Sequence, residues 1–174
     1  MDFEKCVGCG AEFPHSEGAT HPHMRSSPGC WAAFGAVLAR EYRDPGLFVS
    51  HRLSVDAYAV QHPGEPNSRP AVQSVGLHLA RLMLQLERGL TPERANAAMG
   101  QLAEYKARFH WLAPPVSLGS ITVADVALAI DPVAHRAAVH AWARAALDAW
   151  QVHHPIIEGW LRYAFVPLGN THLD

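Results

Sequence analysis

The chain predicts an all-α protein, a helical bundle with an irregular amino-terminal zinc-binding segment. Helix start signals recur along it while strand signals do not, apolar residues return at helical spacing after each start, and the three cysteines all fall within the first thirty residues. An apolar fraction of 49% with 17% charged residues over 174 residues suits a compact globule with a real core. The expected division is a metal-binding segment over 1–27 and a helical domain over 28–174, one compact unit overall.

The first element carries the clearest chemistry. Cys6-Val-Gly-Cys9 places two thiols two residues apart, so one ion can be chelated from a tight turn that Gly8 and Gly10 allow to bend. Cys30 follows in Ser26-Ser-Pro-Gly-Cys-Trp31, and His15, His21 and His23 lie between. With no second Cys-x2-Cys half, a histidine has to complete a Cys3His zinc site. A thioredoxin-like redox pair would follow a strand and open a helix, whereas Cys9 runs into Gly10-Ala-Glu-Phe-Pro14. Cys30 read alone is also compatible with a small buried apolar residue.

Each later element is announced by its cap. Ser27-Pro28, Asp44-Pro45, Thr91-Pro92 and Asp131-Pro132 set a capping side chain before a proline at the first helical position, where its missing N–H costs nothing. Thr122-Val-Ala-Asp125 is a further capping-type start. Helices are expected near 28–42, 46–62, 70–88, 92–108, 122–129 and 132–164, the last bent at His154-Pro155. A stiff turn over 63–70 and an extended connection over 113–119 separate them.

Helical faces then select polar residues for burial. Asp56 falls on the stripe Val49, Leu53, Val60, and His78 lies beside Val75 and Leu79 of the next helix. In the last helix Ala138, Trp142, Ala145, Ala149 and Val152 form a face of alternating bulk, with Trp150 and His154 nearby. One reading gathers Asp56, His62, His78 and His154 into a catalytic pocket or second metal site within the bundle. The other makes Asp56 and His78 a satisfied core pair, with His62 capping a helix end before Pro63. His51 and His62 share a face but stand roughly 16 Å apart along a helix, too far for one ion.

Other chemistries are poorly supported. A net charge of −2 with scattered Lys and Arg offers no field for nucleic acid, and no apolar run approaches the roughly 20 residues of a membrane span. The polar start Met1-Asp-Phe-Glu-Lys5 is unlike a signal peptide, so a cytoplasmic location is expected. Nucleophile-elbow, Walker and dinucleotide fingerprints are missing. Glu41, Glu87 and Glu158 read as solvated or ion-paired helix faces, and the five tryptophans as core.

Five stretches, Cys6-Val-Gly-Cys-Gly-Ala11, Ser26-Ser-Pro-Gly-Cys-Trp31, Val55-Asp-Ala-Tyr-Ala-Val-Gln-His-Pro-Gly64, Gln73-Ser-Val-Gly-Leu-His-Leu79 and Trp111-Leu-Ala-Pro-Pro115, resemble an uncharacterised bacterial family of unknown function. The resemblance runs from about Cys6 to Trp160. It implies that Cys6, Cys9, His21 and Cys30 belong to the family pattern, together with Asp56, Gln61, His62, His78 and His154. His23 stands where the family more often has an aromatic residue, which makes His21 the preferred fourth ligand. No reaction comes with the family.

Two function classes follow. One is a zinc-binding protein whose metal pins the amino-terminal segment to a bundle that offers a small-molecule pocket. The other is a metal-dependent hydrolase or transferase in which Asp56, His62, His78 and His154 hold a second ion or act as acid and base. Substrate and oligomeric state are not encoded in any recognisable motif.

Overall fold

A computed structural model of the chain describes residues 2–165. The last stretch of the expected helical domain, 166–174, lies outside them. Among the described residues helix accounts for 63% and the sheet for two short strands, so the protein is mostly helical. The elements are β1 (Phe3–Lys5), β2 (Glu12–Pro14), α1 (Pro28–Arg43), α2 (Pro45–Phe48), α3 (His51–Gln61), α4 (Arg69–Leu86), α5 (Pro92–Glu104), α6 (Val123–Leu128), α7 (Pro132–Ala149) and α8 (His154–Leu161).

The caps act as their side chains predict. Ser27 accepts from the Cys30 N–H, Asp44 from Gly46, Thr91 from Arg94, and Asp131 from both Val133 and Ala134. Thr122 and Asp125 form a reciprocal capping box. Ser68 performs the same service for α4, accepting from the Ala71 N–H.

Several boundaries differ from expectation. Strands were not foreseen, yet β1 and β2 pair antiparallel with Glu4 opposite Phe13, because the Cys6–Cys9 turn reverses the chain and Phe13 buries one face. The helix expected over 46–62 is two. The N–H groups of Val49 and Ser50 both turn to the Leu47 carbonyl, which interrupts the i−4 ladder and leaves Val49 exposed, off the apolar stripe. The helix expected over 92–108 stops at Glu104, followed by a tight turn at Lys106–Arg108.

The helix expected over 132–164 also breaks, before His154-Pro155 and not by bending at it. The Trp150 N–H tightens to the Leu147 carbonyl, Gln151–His153 make one 3-10 turn, and Pro155 sits in the first turn of a new helix. Val152 is accordingly exposed.

Helix α3 is the centre of the bundle, packed between α4 and α7; α5 and α8 lean on α4, and α6 lies across α1. Trp142 and Trp150 are fully buried and Trp160 nearly so, while Trp31 and Trp111 are half-buried against the core. Each indole buried beside α3 spends its N–H on that helix: Trp150 donates to the Val60 carbonyl at 3.1 Å and Trp142 to Gln61 Oε1 at 2.7 Å. Gln61 in turn donates to the carbonyls of Leu118 and Ile121 at 2.9 and 2.8 Å, tying the 113–122 connection to the core.

Gln61→Leu should therefore orphan one indole donor and two carbonyls at once. It is expected to lower unfolding free energy by about 2–4 kcal/mol, read as a shifted urea midpoint with unchanged slope.

Candidate metal centre

Three thiols and one imidazole converge where the amino-terminal segment meets the end of α3. The ligand atoms of Cys6, Cys9, Cys30 and His62 all lie within 4.8 Å of one another, a group that could hold a metal ion. Among the described residues this is the one place where three or more His, Cys, Asp or Glu side chains converge in this way.

Local structure explains the convergence. The turn after Cys6 closes through Gly10 N–H to the Cys6 carbonyl and Cys6 N–H to the Ala11 carbonyl. Gly10 adopts φ +76°, a left-handed conformation that favours glycine. Gly8 is needed for another reason: a Cβ there would stand 2.4 Å from the His62 ring and 2.5 Å from the Arg25 carbonyl. Cys30 sits in the first turn of α1, its N–H held by the capping Ser27 side chain, which fixes where the thiol is presented. His62 closes α3, and its carbonyl accepts from the Arg25 N–H at 3.3 Å, holding the incoming segment against the helix end.

The spacings have the size of a coordination shell. With zinc–sulfur bonds of about 2.3 Å and zinc–nitrogen bonds of about 2.0 Å, the edges of a tetrahedron are about 3.8 Å between sulfurs and about 3.5 Å from sulfur to nitrogen. Cys9 Sγ and Cys30 Sγ are 3.8 Å apart, and Cys30 Sγ is 3.4 Å from His62 Nε2. A disulfide would need about 2.05 Å, and all three cysteines are free.

The surroundings favour anionic sulfur and a fixed imidazole. His62 Nδ1–H donates to the Tyr58 carbonyl at 2.7 Å, which leaves Nε2 as the lone-pair nitrogen facing the sulfurs. Tyr58 stacks on the His62 ring and directs its hydroxyl to Cys30 Sγ at 3.6 Å, while the Ser27 N–H donates to Cys6 Sγ at 3.4 Å. Crowding splits the acidities of the thiols. Hydrogen bonding from Cys30, then Cys9 and His62, holds Cys6 far below the ordinary thiol value. Contact with Cys6, then Cys9 and burial, pushes Cys30 far above it. One thiolate is accommodated and further ones are opposed, an electrostatic demand that a divalent cation meets.

The fourth member is His62 and not His21. The His21 ring packs on Trp31 and on His23, and its Nδ1 accepts from the His23 N–H at 3.2 Å. Burial, followed by repulsion from His23 and His78, lowers its pKa.

The four residues proposed as one bundle pocket are spread over three places. Asp56 and His78 do meet, Oδ1 to Nδ1 at 2.7 Å, with the carboxylate fully buried. Arg81, which sequence reasoning passed over, grips the same carboxylate through Nε at 2.9 Å to each oxygen and through Nη2 at 2.5 Å. Gln85 adds a contact to Oδ2 at 3.3 Å. His62 belongs to the sulfur group. His154 lies on α8, donating from Nε2 to the Leu147 carbonyl at 3.2 Å with Nδ1 3.7 Å from Glu87. The pocket does not assemble because α3 turns Asp56 towards α4 while His62, the residue that caps the helix end, faces the amino-terminal turn. Glu41 is also corrected: it is fully buried, bonded to His51, Ser54 and His135.

Two substitutions check this geometry. Arg81→Leu should cost about 3–5 kcal/mol, because it strands Asp56 as a buried charge without its cation. Gly8→Ala should lower thermal stability and weaken metal retention against a chelator, since the backbone carbonyls of Arg25 and Gln61 block any simple adjustment.

No curated protein and no solved structure matches the chain. A family described only as a family of unknown function, DUF5946, matches residues 4–151. The chain belongs to that family.

Proposed function

We propose that the protein is a zinc-binding protein in which Cys6, Cys9, Cys30 and His62 hold one structural ion. The observation that carries the reading is the match between the 3.8 and 3.4 Å separations and the edges of a zinc tetrahedron. A Cys3His set fills all four positions, so the site is closed and its free energy goes into folding. Zinc is preferred because soft thiolates with one imidazole suit it in tetrahedral geometry. The ion pins segment 1–27 to the start of α1 and the end of α3, which that segment's sparse apolar content would not do alone.

The test is metal content in protein purified without a His tag. Cys9→Ser and His62→Ala should each abolish one tightly held zinc equivalent and render residues 1–27 sensitive to protease. His21→Ala should retain the full equivalent. Loss of zinc in the His21 variant with retention in the His62 variant would reverse the assignment.

A small-molecule role for the bundle is supported by a cavity of about 310 Å³ lined in part by His78, Arg81, Asn96 and Met99. Asp56 orients His78 through Nδ1, which leaves Nε2 of a partly exposed ring available to a ligand or as a base. With His62 and His154 elsewhere, this reading needs no second ion. Titration of metal-depleted protein with zinc, manganese and iron should show a single tight event. Imidazole-directed fragments should shift the His78 ring resonances in the NMR spectrum of the loaded protein, an effect His78→Phe abolishes.

A further inference from the structure

A second buried carboxylate, away from the metal centre, organises a chain of proton-bearing groups that ends at the surface. Glu41 of α1 is completely buried, as is His135 of α7, and His51 is nearly so. Glu41 Oε1 accepts from Ser54 Oγ at 2.5 Å and pairs with His135 Nε2 at 3.0 Å; Oε2 pairs with His51 Nδ1 at 3.1 Å. The Tyr42 hydroxyl lies 3.2 Å from His51 Nε2, and Tyr42 is 66% exposed.

Donor accounting fixes the protons. Arg40 has only donors, so its contact with His135 Nδ1 at 3.4 Å makes that nitrogen the acceptor and leaves the ring proton on Nε2, aimed at Glu41. The carboxylate has no proton to give to His51, so His51 Nδ1–H donates to it. His51 Nε2 then carries the lone pair, and the Tyr42 hydroxyl donates to it. The order carboxylate, imidazole, hydroxyl is that of an orienter, a general base and a nucleophile.

A cavity of about 340 Å³ lies alongside, walled by His51 and Phe48, whose rings both contact Tyr42. Val49 and Pro92 add apolar lining, Asn96 an amide, and Arg52 and Glu93 one exposed charge of each sign. We propose that Glu41, His51 and Tyr42 form an acyl-transfer site in which the Tyr42 hydroxyl attacks small esters seated in this cavity. Tyr42 Oη bonds to the acyl carbon as the carbon's bond to the leaving oxygen breaks. The phenolic proton passes to His51 Nε2 and from there to the departing oxygen. Water then hydrolyses the tyrosyl ester, releasing the acid and restoring the phenol.

The test is the rate of Tyr42 acylation by p-nitrophenyl acetate in the full-length folded protein, read by peptide mass spectrometry after digestion. The partly exposed Tyr105 and Tyr163 serve as internal references. Tyr42 should acylate at least about tenfold faster than either, at the modest end of what a positioned base supplies. His51→Gln should bring it to their level, and Tyr42→Phe, a surface change, should remove the label without shifting the melting temperature. Equal rates at Tyr42, Tyr105 and Tyr163 in the unaltered protein would overturn the site, whatever the variants do.

Discussion

The end of α3 is the point on which the amino-terminal third depends. His62 is pinned by its own helix, Nδ1–H on the Tyr58 carbonyl one turn back, so Nε2 has a fixed direction before any ligand arrives. Everything around it is shaped to that direction. Gly8 lets the Cys6–Cys9 turn press against the ring, the Arg25 N–H caps the His62 carbonyl, and Ser27 both starts α1 and donates to Cys6 Sγ. The β1–β2 hairpin and the α1 start converge on one imidazole, and the sulfurs they carry inherit coordination spacing.

Helix α3 pays for its central place in polar groups. Eight of its eleven residues are buried, yet they include His51, Ser54, Asp56 and Gln61. Each finds partners on a different neighbour: His51 and Ser54 on α1, Asp56 on α4, Gln61 on α7 and the 113–122 connection. A buried polar group costs free energy unless satisfied, so only one rotation and one axial position of α3 is tolerated. An apolar stripe would allow sliding; these four groups do not. The same pinning leaves His78 at the edge of a cavity and brings His51 Nε2 within 3.2 Å of the Tyr42 hydroxyl, so the groups that fix the helix also stand beside open space.

Much of the architecture was legible locally. Ser27, Asp44, Thr91, Thr122 and Asp131 start helices because a cap acts within three residues, and Cys6, Cys9 and Cys30 could be grouped by proximity in the chain. Helix stops were less legible. The break at Val49–Ser50 follows from tightened hydrogen bonds with no breaker residue behind it, whereas at Trp150–His153 Pro155 signalled an interruption and the tightened Trp150 N–H placed it one turn earlier. The hairpin was missed because strands of three residues carry no period.

Residue chemistry alone determined that the protein is helical, where most helices begin, and that its three thiols with one histidine form a group that could hold a metal ion. Which histidine was a tertiary decision. His21 is close in sequence, but its ring is drawn onto Trp31 and His23; His62 is 32 residues beyond Cys30, brought in by the packing of α3. The same holds for Arg81 on Asp56, 25 residues apart, and for His135 on Glu41, 94 apart. Capping and chelating turns are decided by neighbours in the chain, whereas the partner of a buried charge is decided by which helices stack, and that depends on the whole core at once.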